Sequence, residues 1–228
     1  MISLKTTYID KAYLKYYLGD PSISAHIDAV HAASPKADKY TDEIVDGVIY
    51  QTNCSGIIAT VSRDAMDLNR PLSEKNQEAI MEYRETIKEI LTHLNILDDN
   101  RLTKPNLHLA IHGMRDIYGC DIELGTLNGS ICDEEIKDWF HHRLTQEMHD
   151  AKIAVDKLFV GDQSKGYHRY GDLVHDYEGY GPNYNTIQIE ISRSYREQRR
   201  EELISVISEL IKEFNEKLEI HLKENPEK

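Results

Sequence analysis

The chain is poor in several kinds of residue, and each shortage removes a class of function. Three cysteines, Cys54, Cys120 and Cys132, are odd in number and lack any CxxC spacing. That excludes a disulfide framework and a thiolate zinc ribbon, and it predicts reduced thiols in a cytoplasmic protein. Basic residues are outnumbered, 27 Lys and Arg against 40 Asp and Glu, for a net charge of −13. Such a surface repels nucleic-acid phosphates and anionic membranes, so neither is expected as a partner. A small anionic substrate stays compatible, because a local basic pocket can sit inside an acidic shell. No apolar run is long enough to span a bilayer, and "MISLKTTYIDKAYLKYYLG" has no signal-peptide core. Linkers, repeats and low-complexity tracts are also missing, which predicts a single domain over residues 1–228.

What is present is an interleaving of helical and strand patterns. Residues 8–18 carry aromatic and aliphatic positions at helical spacing and stop at Gly19-Asp20-Pro21. "SISAHIDAVHAASP" alternates from Ile23 to Ala29, predicting a strand that runs into a small-residue turn. Ile44, Val45, Val48 and Ile49 share a helical face, and residues 56–61 form an apolar strand. A long helix is predicted from Pro71-Leu72-Ser73, with Ile80, Tyr83, Ile87, Ile90, Leu91 and Leu94 along one side. "NLHLAIHG" and "NTIQIEIS" are two further alternators. Between them lie a helix from Asp133 to about His149 and a structureless Gly- and Tyr-rich loop over 161–184, either a lid or a surface excursion. The chain closes on an amphipathic helix bearing Leu203, Val206, Ile207, Leu210, Ile211, Phe214 and Leu218. Core packing is its simplest use, with a homo-oligomer contact second. The pattern predicts an α/β domain of three layers, a central mixed but mostly parallel sheet flanked by helices. In such sheets chemistry gathers at the carboxyl ends of strands.

Polar residues fall at those ends. "SRDAMDLNRP", residues 62–71, places Arg63, Asp64, Asp67, Asn69 and Arg70 just past a strand. Arginine pairs with a carboxylate through two parallel hydrogen bonds, so the stretch suits an acidic substrate. The competing reading is an internal knot in which Asp64 and Asp67 neutralise Arg63 and Arg70. Glu190 sits within an isoleucine alternation, and the simpler reading gives Gln188, Glu190 and Ser192 to a wet strand face. The sharper reading makes Glu190 a general base in a cleft. His112 ends its strand, and His26, Asp28, His31, Asp38, Asp42 and Glu43 supply further donors without forming a short metal motif.

Taken together, three blocks resemble the N-formylglutamate amidohydrolase family, which is related in fold to the zinc carboxypeptidases. "SRDAMDLNRP", "AIHGMRDIYGCDIELGTLNGSIC" and "NTIQIEISRSYR" carry the resemblance in the family's order, between residues 22 and 200. It implies a phosphorylase/hydrolase-like fold and one zinc ion per chain, held by His31, Asp38 and His112. "AVHAASP" lacks the family's proline before the histidine, so His26 is the alternative to His31, and neighbours of Asp38 are alternatives to it. Ala110 stands where members often have an acid. Glu190 is implied as general base, Asn69 and Arg70 as the grip on the substrate carboxylate, and Arg63 as a contact to the oxyanion. The implied reaction is hydrolysis of a linear amide, N-formyl or other N-acyl, of a carboxylate-bearing and acidic amino acid. A zinc peptidase or γ-glutamyl polymer hydrolase would use the same residues. A non-catalytic carboxylate-binding or scaffold protein on the fold is the reading from another class.

Overall fold

The computed structural model describes residues 6–161 and 163–224. Its elements run β1 (Ile9–Asp10), β2 (Leu14–Tyr17), β3 (Ala25–Ala29), α1 (Thr41–Thr52), β4 (Ser55–Ala59), α2 (Gln77–His93), β5 (Leu97–Asp98), β6 (Arg101–Leu102), β7 (Asn106–Met114), β8 (Ile122–Gly125), α3 (Glu134–Glu147), β9 (Ile153–Val155), α4 (Gln163–Tyr170), β10 (Tyr184–Ser192), α5 (Arg193–Gln198) and α6 (Arg200–Glu224). Eight strands form one mixed sheet in the order β1-β2-β4-β3-β7-β10-β8-β9, and β5 and β6 pair separately. The central four, β4, β3, β7 and β10, are mutually parallel. The predicted three-layer α/β architecture is therefore the observed one. Among the described residues no helix is long and apolar enough to cross a membrane.

The two faces of the sheet differ in chemistry. One face presents Leu107, Leu109 and Ile111 of β7 and Ile187, Ile189 and Ile191 of β10 to α1, α3 and α6, in a core without a break. Each such side chain, buried from water, contributes about 1.5–3 kcal/mol. The predicted apolar residues of α6, from Leu203 to Leu218, all pack here. On the other face, successive rows across β3, β7 and β10 are His26–His108–Thr186, then Asp28–Ala110–Gln188, then His112–Glu190. An alternating strand commonly turns its polar side to water. Here all nine residues of β10 are nevertheless buried. The wet-face reading of Gln188, Glu190 and Ser192 is thereby overturned, and β10, flanked by β7 and β8, is not an edge strand either.

Two other expectations are corrected. Residues 8–18 form β1 and β2, not a helix. Leu14 and Tyr16 pack into the core on one face of the sheet while Lys15 and Tyr17 lie partly buried on the other, so the period of two prevails once β2 can pair antiparallel with β4. The Gly/Tyr stretch is not structureless either: it contains α4 and a 3₁₀ turn at Leu173–His175. The long helix also starts later than predicted, at Gln77, after a turn that follows Pro71.

The stretch carrying α4 covers the lower half of the polar face. Lys165 is wholly buried there, with its Nζ 3.4 Å from Asp28 Oδ2. The same carboxylate oxygen accepts from His108 Nε2 at 2.9 Å and from the Tyr83 hydroxyl. His108 stacks flat on His26 at 4.4 Å, and His26 Nε2 meets the Tyr184 hydroxyl at 3.0 Å. Burial works against ionising Asp28, but the Lys165 and His108 charges outweigh it and hold its carboxyl well below the usual range. Removing one member of such a pair strands the other charge in the interior. Lys165→Met is expected to destabilise the protein by about 3–5 kcal/mol in urea denaturation. Adding Asp28→Asn should restore most of that loss. A single variant within about 0.5 kcal/mol of wild type would show that the pair does not hold α4 to the sheet.

Candidate active site

The upper half of the polar face is open. Turns after β3 and β4 and the ends of β7 and β10 enclose a cleft of about 520 Å³, lined among others by His31, Asp38, Asn69, Arg70, His112 and Glu190. Arg63 also lines it, so all seven residues singled out from the sequence reach one cavity. His26 does not reach it, since it is stacked in the buried cluster below. Of the two histidines near the first strand, His31 faces the cleft.

His31, Asp38 and His112 are all buried, and one donor atom from each lies within 4.8 Å of the others. The two imidazoles turn the same nitrogen toward the same oxygen. His31 Nδ1 is 3.4 Å and His112 Nδ1 3.8 Å from Asp38 Oδ2. The ring planes stand nearly perpendicular, with centroids 5.0 Å apart. The loop that carries Asp38 is tied down at both ends. Its N–H donates to the His31 carbonyl at 2.8 Å, and its own carbonyl accepts the Thr41 hydroxyl at 2.7 Å. The Gly113 N–H, at the end of β7, donates to Asp38 Oδ2 at 3.0 Å. Glycine is required at 113 because a Cβ there would stand 2.4 Å from the guanidinium carbon of Arg196. That guanidinium is buried and donates to the carbonyls of Lys39, at 2.9 Å, and Ile191, which joins the Asp38 loop to the ends of β7 and β10.

The donor set fits a divalent metal. Two neutral imidazoles and a carboxylate are the protein ligands of one common catalytic zinc geometry, which leaves a further position for water or substrate. His31 has the outer support such ligands use, since its Nε2 bonds to Asp67 Oδ1 at 2.8 Å. That hydrogen bond fixes the ring and directs Nδ1 into the site. Arg63 stands at the same atoms. Its guanidinium donates to His31 Nδ1 at 3.0 Å, to Asp38 Oδ1 at 2.9 Å and to the Lys36 carbonyl at 3.0 Å.

The charges follow from these contacts. Burial opposes the charged form of His31, but hydrogen bonds to Asp38 and Asp67 outweigh it and raise its pKa. His112 moves the other way because burial dominates, which keeps its imidazole neutral and able to ligate. Burial also opposes the Asp38 anion, yet the His112 and His31 hydrogen bonds hold its carboxyl far below the usual range. Glu190 has no comparable support. Its Oε1 accepts one bond from Gln188 Nε2 at 3.1 Å, and burial, aided by the Asp38 charge, pushes its carboxyl up to about 7.

The 62–71 stretch forms half of the internal knot read from the sequence. Asp67 Oδ2 is 3.2 Å from Arg70 Nε as that reading requires, whereas Asp64 pairs with Lys36 at 2.8 Å and Arg63 with Asp38 at 2.9 Å. Asn69 is buried beside the cleft, its side-chain oxygen without a hydrogen-bond partner among the described residues, and Arg70 is largely exposed along it. Sequence reasoning cast Asp67 only as a neutraliser. Its position between Arg63 and Asn69 was the available signal. Arg196 gave none, since an arginine at the start of a terminal helix reads as surface.

No family model and no curated protein matches the chain. Solved structures do. The crystal structure of N-formylglutamate amidohydrolase from Ralstonia eutropha JMP134 superposes with a TM-score of 0.67 at 14% identity, covering 92% of this chain and 100% of that one. The Atu2144 gene product from Agrobacterium tumefaciens follows at 0.61 and 13% identity, covering 92% and 97%. A bacteriophage poly-gamma-glutamate hydrolase gives 0.50 at 14%, covering 90% and 91%. At these identities the likeness establishes a common fold. The fold is the one the sequence blocks implied.

The Asp67–His31 bond generates a test. Asp67→Ala should weaken zinc affinity by about 10–100-fold in competition with a chromophoric chelator, with His31 and the fold intact. Unchanged affinity would mean that Asp67 serves Arg70 alone.

Proposed function

We propose that the chain is a zinc-dependent amidohydrolase that cleaves the N-acyl amide of an amino acid with a free carboxylate. One observation carries the reading: His31, Asp38 and His112 converge within 4.8 Å at the floor of a cleft that also holds a buried carboxyl poised near neutrality. The likeness in fold to N-formylglutamate amidohydrolase supports it. His31 Nδ1, His112 Nδ1 and the Asp38 carboxylate would hold the zinc. Zinc so bound supplies a Lewis acid for the amide carbonyl and makes water a stronger acid.

The chain's own groups supply the rest. Glu190, as the carboxylate, takes a proton from the attacking water and hands it to the departing amine nitrogen. Its raised pKa suits both halves of that task, since a group near neutrality accepts and returns a proton at similar cost. Asn69 and Arg70 grip the substrate's carboxylate. A half-turn of the Asn69 amide offers its NH₂ to an anion, and the Arg70 fork offers two parallel donors. Arg63 is the cation that stands at the donor set, against His31 and Asp38. For it to meet a developing oxyanion, its N–H groups must leave His31 and Asp38.

The test uses release of glutamate from N-acyl-L-glutamates. Glu190→Gln keeps the shape and removes the base, so kcat should fall by about 10²–10⁴-fold while zinc content stays unchanged. Wild-type kcat/KM should drop as pH falls through the Glu190 pKa, because the protonated acid cannot act as base. The inflection lies at or below about 7, since a cation in the donor set stabilises the carboxylate. That acid limb should vanish in Glu190→Gln. A limb that persists in the variant, or a variant that loses its zinc, contradicts the assignment.

A further inference from the structure

The cleft continues past Glu190, away from Asn69 and Arg70. In sheet order the β4 turn stands at one end, His31, His112 and Glu190 follow on β3, β7 and β10, and β8 lies beyond. Over β8 the chain segment 157–161, which follows β9, folds back to make the far wall.

Two devices fix that wall. Glu123 of β8 is wholly buried and stands opposite Glu190 in the sheet. One of its oxygens accepts three successive backbone N–H groups, from Lys157 at 2.9 Å, Leu158 at 2.5 Å and Phe159 at 2.7 Å. Gly125 provides the second. A Cβ there would lie 2.3 Å from the Phe159 carbonyl oxygen and 2.6 Å from the Gly161 nitrogen, so only glycine lets the segment lie flat on the strand.

The wall so held shows hydrocarbon to the cleft. Leu158 is 60% exposed, while its own N–H is the middle one of the three held by Glu123. Phe159 meets Tyr118 edge to face, with centroids 5.1 Å apart, and the Arg115 guanidinium donates to the Tyr118 hydroxyl at 3.4 Å. An aromatic pair with an open edge favours a third ring placed against it. A formyl group, the smallest acyl, would end at Glu190 and leave all of this to water.

We propose that Tyr118, Leu158 and Phe159 form the subsite for the acyl half of the substrate, and that the acyl group it takes is apolar and aromatic. The proposal rests on the amide-hydrolase reading. In the reaction, water's oxygen joins the acyl carbon as the C–N bond breaks. The aromatic carboxylic acid departs from this wall, and the amine, with water's proton, departs from the Asn69–Arg70 end.

The experiment separates the two ideas by measuring binding and cleavage independently. Binding of N-formyl-, N-hexanoyl- and N-benzoyl-L-glutamate to zinc-loaded Glu190→Gln protein is followed by titration calorimetry, and amine release from the same compounds is followed with the wild type. Benzoylglutamate should bind on the order of ten- to a hundredfold more tightly than formylglutamate. Phe159→Ala and, separately, Leu158→Ala should each remove most of that advantage while leaving formylglutamate affinity unchanged. Both residues are partly open to solvent, so neither variant threatens the fold. Affinity that is flat or falls with acyl size overturns the subsite, as does an equal loss for formyl and benzoyl in the variants. A binding ladder of the expected form without amine release from any compound upholds the subsite and strikes the hydrolase reading instead.

Discussion

Asp38 is the carboxylate on which the site depends. Its oxygens receive Gly113 N–H from β7 and Arg63 from the turn after β4, and they face both His31 and His112. Three parallel strands are thereby brought to one buried anion. An anion removed from water survives only when it is fully paired, so the chain around it is constrained from every side. Gly113 must lack a side chain, Arg196 must fill the space it leaves, and the 31–38 loop must close back on itself.

The same logic extends down the polar face of the sheet. Asp28 with Lys165 and His108 is a second buried ionic group, below the cleft and under α4. Glu123 is a further buried carboxyl, with one oxygen accepting three backbone N–H groups. Glu190 lies among these carboxyl groups; among the described residues one amide, Gln188 Nε2, donates to it, and its carboxyl is the one pushed up to about 7. Contrast between well-supported and poorly supported carboxylates is what the proposed division into ligand and base rests on. The opposite face, apolar throughout beneath α1, α3 and α6, supplies the packing that lets this face be polar.

Much of the architecture was legible, for reasons that differ by residue. Hydrophobic period gave α1, the body of α2, α3, α6 and the central strands, since these elements bury one apolar face each. It misread residues 8–18, where Leu14 and Tyr16 suit either period and pairing with β4 decides. It also misread β10, because no local pattern tells a strand's covered polar face from a wet one. The site residues were named through a resemblance of three blocks, and the fold then brought His31, Asp38 and His112 within reach of one another. What the blocks did not disclose were the supports: Asp67 behind His31, Arg196 behind Gly113, and Glu123 beneath the far wall. Each acts across 30 or more residues of chain or through backbone groups, and no short motif records that.

The central claim is that His31, Asp38 and His112 act together as a metal site, and cobalt titration tests it most directly. Cobalt(II) bound to nitrogen and oxygen donors in a site of low coordination number absorbs strongly in the visible range, independent of any substrate or turnover. Titration of the chelator-treated protein should saturate at about one equivalent per chain, and Asp38→Ala should abolish the saturable signal. Saturation at the same stoichiometry in Asp38→Ala, or no saturable signal in the wild type, would contradict the account.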